Sequence, residues 1–147
     1  MPYDYFLASR YRNKEKILPF IKRIRETGKS VYCFIESEAS VKYCGTVECE
    51  PEAAMKEFES IPDWRNSPRV REIFETDMQA LKDSDALILL LPAGKSAHME
   101  VGVAYGLGKR LVLVGEQKET ESLYLMFDQV FGTEEEFLRS IRGGIGG

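Results

Sequence analysis

Asp85-Ala-Leu-Ile-Leu-Leu-Leu-Pro92-Ala-Gly-Lys-Ser96-Ala-His98-Met-Glu100-Val-Gly102-Val-Ala-Tyr-Gly-Leu-Gly108 is an apolar run that stops at a proline, a short polar turn, and a helix rich in small residues. The unbroken apolar character of Asp85 to Leu91 predicts a strand buried on both faces, as in a parallel sheet. Ala97 to Leu107 reads as the helix that follows, with Ser96 as its N-cap and Gly108 as the C′ residue that ends it. A strand-end loop feeding a helix N-terminus is where open α/β sheets bind small molecules. Glu100 falls in that start, on the same face as Ser96. The free N–H groups there favour an anion, so the spacing predicts an ionised Glu100, as a nucleophile needs. A capped helix with a favourable acid in its first turn is the plainer alternative.

Outward from this segment, strands and helices alternate. Tyr3 to Ala8 reads as a first strand, and Asn13 caps a helix to about Thr27 with Ile17, Phe20, Ile21 and Ile24 as its apolar stripe, stopped by Gly28. Ser30 to Ile35 is a second strand. Glu36 to Pro51 is polar and aperiodic, a long loop; a weak helix to about Ser60 and an ordered turn through Trp64 follow. Arg69 to Asp83 is a clear helix, Arg110 to Val114 a fourth strand, Gln129 to Phe131 a short fifth, and Thr133 caps a last helix. This alternation predicts an α/β fold: a three-layer, doubly wound parallel sheet of about five strands in the order 2-1-3-4-5, Rossmann- or flavodoxin-like. Residues 1–142 form one domain and the glycine-rich 143–147 a disordered tail. The switch point lies between strands one and three, where the loops Ser9 to Asn13 and Pro92 to Ser96 meet.

Bulk properties narrow the function. A chain of 147 residues with net charge −4 is no general nucleic-acid binder. No apolar run approaches a membrane span, and Met1 to Tyr5 shows no secretory pattern. The three cysteines, Cys33, Cys44 and Cys49, are odd in number and fit reduced thiols in a cytoplasmic protein. The spacing of Cys44, Cys49 and His98 is a poor match to structural zinc sites, so no metal is expected. Gly94-Lys-Ser96 lacks the spacing of a P-loop. His98, the single histidine, points away from Glu100 and suits a structural role. Gly102 and Gly106, one turn apart, suit close helix packing.

Two further clusters bear on chemistry. Val70, Phe74, Asp77 and Leu81 lie on one helical stripe, which puts a carboxylate on a face turned toward the sheet. A buried carboxylate is costly unless paired or functional. After the first strand, small residues at Ala8 and Ser9 admit a ligand to the backbone, and Arg10 and Arg12 suit a phosphate or carboxylate. A solvated basic loop is the alternative.

Three blocks resemble the nucleoside 2-deoxyribosyltransferase family, which includes nucleotide N-glycosidases acting on monophosphates. They are Tyr5-Phe-Leu-Ala-Ser9, Asp77 placed before Ser84-Asp85, and Ser96-Ala-His-Met-Glu100-Val-Gly102 continuing to Gly108-Lys109. The resemblance implies cleavage or transfer at the N-glycosidic bond of a nucleoside or nucleoside 5′-monophosphate. By position, Glu100 would be the nucleophile, Asp77 would position it or protonate the leaving base, and Tyr5 would orient the Glu100 carboxylate. Ser9 and Ser96, with Arg10 or Arg12 and with Gly94 in the same turn, match positions that hold a 5′-phosphate. No cofactor is implied; a homodimer or higher homo-oligomer is. One departure stands out: the stretch Pro92 to Ser96 lacks the acid that transferases often place before the glutamate, and Lys95 with Ser96 leans toward an anionic ligand. A catalytically silent nucleotide-binding domain of the same fold is the alternative function.

Overall fold

The computed structural model describes residues 2–37 and 51–142. Five parallel strands form one sheet in the order β2-β1-β3-β4-β5: β1 Tyr3–Ala8, β2 Val31–Cys33, β3 Ser84–Leu90, β4 Arg110–Val114 and β5 Gln129–Phe131. Tyr5 pairs with Val31 on one side and Ala86 on the other, and Ala86 in turn pairs with Arg110. The expected doubly wound topology is the observed one. The described helices are α1 Lys14–Glu26, α2 Pro51–Glu59, α3 Pro68–Lys82, α4 Lys95–Gly106 and α5 Glu134–Arg142.

Strand alternation sorts the core into two layers. Tyr5 and Leu7 of β1, Ile88 and Leu90 of β3 and Val112 and Val114 of β4 face α1 and α5, meeting Ile17, Phe20 and Phe137. Phe6 and Ala8, Leu87 and Leu89, and Leu111 and Leu113 face the other way, onto Leu81 of α3 and Ala97, Val101 and Ala104 of α4. The predicted strand β2 is shorter than expected, because a 3-10 turn takes over at Phe34–Glu36. Gly28 ends α1 with φ +92° and Gly108 follows α4 with φ +74°, both left-handed positions that favour glycine.

Several local expectations change. Gly94, not Ser96, is the N-cap of α4, and Ser96 lies inside the first turn. Asn13 occupies the N-cap position of α1, but its side chain makes no capping bond; it is used in a tertiary contact described below. Ser67 caps α3 by accepting from the Val70 N–H at 3.3 Å. Phe74, placed on the buried stripe of α3 by periodicity, is 54% exposed, since α3 meets the sheet mainly through its C-terminal half at Ala80 and Leu81. Gly102 and Gly106 approach nothing: a Cβ at either would find open space within the described residues. Most of the expected loop after Glu36, with Cys44 and Cys49, and the tail 143–147 lie outside the described residues.

Candidate active site

The loops leaving β1 and β3 are locked to each other. Three successive carbonyls at the end of β3 each accept a donor from the β1 side: Leu90 from Ser9 Oγ at 2.8 Å, Leu91 from Lys16 Nζ at 3.0 Å, and Pro92 from Asn13 Nδ2. Asn13 Nδ2 also reaches Ser9 Oγ at 3.1 Å. These bonds hold the Asn13 amide across the loops, and its Oδ1, the atom that would cap, accepts instead from Arg10 Nε at 3.3 Å. On the far side of the turn, the Gly94 carbonyl accepts from His98 Nδ1 at 2.8 Å. A carbonyl only accepts, so Nδ1 carries the proton in the neutral ring; Nε2 then accepts from Tyr124 Oη at 2.7 Å. His98 thus has the structural role expected of it.

Between these loops, α3, α4 and α2 lies a cavity of about 460 Å³, a volume typical of small-molecule sites. Ser9, Arg10 and Arg12 line it from the β1 loop, and Gly94, Lys95, Ser96 and Glu100 from α4 and its approach. Asp77 enters from α3, and Phe34, Met55, Phe58 and Ile73 give it an apolar side. The structure therefore brings together every expected site residue except Tyr5. Tyr5 faces the opposite layer, its ring edge-on to Phe137 at 5.7 Å with the Arg110 guanidinium over it. Strand parity is the reason: Phe6 and Ala8 face the α3–α4 side, so Tyr5 cannot.

The two carboxylates differ from ordinary ones. Burial pushes Glu100 up to about 8, and the negative charge of Asp77 adds to the effect. Burial also raises Asp77, to about 6, against the lowering effect of a hydrogen bond from Tyr32 Oη to Asp77 Oδ1 at 2.8 Å. This corrects the expectation of an ionised Glu100. It sits in the second turn of α4, beyond reach of the terminal dipole, and desolvation prevails. Between about 6 and about 8 the pair carries a single proton.

The arginines are unequal. Arg12 Nε donates to Glu52 Oε2 at 2.7 Å and its Nη2 to Glu59 Oε1 at 2.9 Å, both on α2. Arg69 Nη1 meets Glu57 Oε1, also on α2, at 2.8 Å. Arg10 is exposed and touches Asn13 Oδ1 at 3.3 Å. Arg12, expected to meet a phosphate, is engaged in holding α2 across the cavity. Sequence reasoning missed Tyr32, Arg69 and the apolar wall. Tyr32 is one aromatic in a short apolar strand, and only the placement of β2 beside α3 reveals its partner.

No family model matches the chain, and no curated protein does. Solved structures that share its fold include two enzymes. A 2-deoxyribosyltransferase from the psychrotolerant bacterium Bacillus psychrosaccharolyticus superposes with a TM-score of 0.59 at 17% identity, covering 91% of this chain and 89% of its own. The Clostridium botulinum CMP N-glycosidase BcmB gives 0.50 at 20% identity, covering 93% and 96%. Both are enzymes of the group that the three sequence blocks resemble, and the chain has their fold over nearly its whole length.

Proposed function

We propose that the chain cleaves or transfers at the N-glycosidic bond of a nucleoside or nucleoside 5′-monophosphate, with Glu100 as nucleophile. The observation that carries this reading is the meeting of Glu100 and Asp77, both partly buried, in one cavity with an apolar side, in a fold shared with two enzymes of that chemistry. In the resting site the two carboxyls together carry one proton. As the bond from the anomeric carbon to the base breaks, that proton passes to the leaving nitrogen, and the electron pair of the bond goes with the base. Glu100, now ionised, bonds to the anomeric carbon as a glycosyl ester. Water or a second base then attacks the same carbon, gives its proton back to the pair and releases Glu100. Two displacements retain configuration. The apolar wall of Phe34, Met55, Phe58 and Ile73 suits a base, and Ser9, Gly94, Ser96 and Arg10 suit the 5′ end of the sugar. No step calls for a cofactor.

A second reading, a silent nucleotide-binding domain, is favoured by the high proton affinity of Glu100, which leaves little carboxylate in the resting site. Incubation with ribo- and deoxyribonucleosides and their 5′-monophosphates, with and without a second free base, separates these outcomes. Base release from monophosphates assigns a nucleotide hydrolase, and exchange that needs the second base assigns a transferase. Thermal stabilisation by a ligand with no base released supports the silent domain.

We further propose that the protein is a homo-oligomer working in the cytoplasm. Met99 and Val103 of α4 and Leu107 just past its end form an exposed i, i+4, i+8 stripe, with Met99 70% exposed, and Leu123 and Leu125 are exposed as well. Among the described residues, no helix is long and apolar enough to cross a membrane.

A further inference from the structure

We propose that Tyr32 is a positioning residue of this site: its hydroxyl fixes the Asp77 carboxylate and keeps one oxygen, Oδ2, for the cavity. This rests on the glycosidic reading above. Tyr32 lies on the edge strand β2, outside every block of sequence that pointed to the site. Its ring is stacked on Phe6 at 5.3 Å and met edge-on by Tyr3 at 5.5 Å, so its direction is set by two aromatic neighbours. From that grip the hydroxyl donates to Asp77 Oδ1 at 2.8 Å. Tyr32 also lines a second cavity at the β2 edge, with Thr76 and Glu72 of α3, whereas Asp77 lines the cavity holding Glu100. The hydrogen bond is thus part of the wall between the two spaces.

The bond has a definite electrostatic sign. A donor to a carboxylate stabilises its charged form, so Tyr32 lowers Asp77 against the effect of burial. The other charged groups around Asp77 do not supply that function. Glu100 of α4 is like-charged. Arg69 of α3 is bound to Glu57 of α2, and Arg12 to Glu52 and Glu59. Arg10 and Lys95 are exposed. Tyr11, from the β1 loop, also lines the cavity, and burial raises its own hydroxyl.

Tyr32→Phe removes the hydroxyl and keeps both ring contacts. Carboxyl-carbon NMR titration of wild type and Tyr32→Phe reads the Asp77 midpoint directly, whether or not the protein turns over. The expected result is a midpoint about one pH unit higher in the variant, the size set by a hydrogen bond to a charged group. The acid limb of the pH–rate profile moves up with it, at a kcat cost larger than the change in KM. An unmoved midpoint overturns the inference, as does a moved midpoint with an unmoved acid limb. Failure of wild type to release any base overturns the glycosidic reading instead and leaves the titration to decide the role of Tyr32.

Discussion

Asp77 and Glu100 share a cavity and a burial cost, yet they titrate apart, near 6 and 8. The separation has two causes of opposite sign: Tyr32 donates to one, and the charge of that one raises the other. A reaction that needs one proton on the pair follows a bell. Below about 6 both carboxyls are protonated and no nucleophile forms; above about 8 the pair has no proton for the leaving base. We expect kcat/KM to peak between these values, which a pH–rate series with the best substrate measures. A profile that rises through pH 9 without a basic limb contradicts one shared proton. The candidacy of Glu100 and Asp77 was legible, because a stripe position on α3 and a helix start after a buried strand are patterns of spacing. The state of Glu100 was not, since desolvation depends on what covers it. Tyr5 shows the same limit: a motif match carried it to the site, and strand parity turns it to the opposite face.

At the scale of elements, β4 and β5 run where the pattern placed them, and the apolar stripe of α1 is the buried one. The misreadings cluster where a side chain has a tertiary use. Asn13 has good capping chemistry but is drawn to Ser9 and Pro92. Ser96 likewise suits a cap, and the chain turns helical one residue before it. The link from α2 to the site could not be read at all, because Arg12 meets Glu52 and Glu59 across about forty residues of sequence. Exposed ion pairs contribute little stability each, about 0–1 kcal/mol. Their consequence here is placement, since Glu57 and Glu59 line the cavity with Met55 and Phe58. Arg12→Ala is therefore expected to leave global stability nearly unchanged, while amide exchange in 51–59 quickens and KM rises more than kcat falls. Unchanged exchange in α2 contradicts this placement.

The sheet order and the crevice at its switch point were legible for the whole molecule, because each strand–helix–strand step allows one handedness and the strands differ in burial. What lies against the outside of α4 was not. Among the described residues Gly102 and Gly106 open onto space rather than onto a packed helix, and Met99, Val103 and Leu107 stand beside them. The proposed homo-oligomer would place a second copy of the chain on this face. Light scattering is expected to give a dimer or larger assembly for wild type and a smaller species for Val103→Glu; a wild-type monomer at assay concentration contradicts it.

Glu100 is the residue proposed to break a bond between a sugar and a base. The most direct measurement is base release by wild type and Glu100→Ala in parallel, on the nucleoside or monophosphate that wild type uses best, with matched thermal unfolding to show that both are folded. A folded variant with release reduced by at least about 10³-fold is the predicted result. Equal release by the variant, or none by wild type from any substrate, contradicts it.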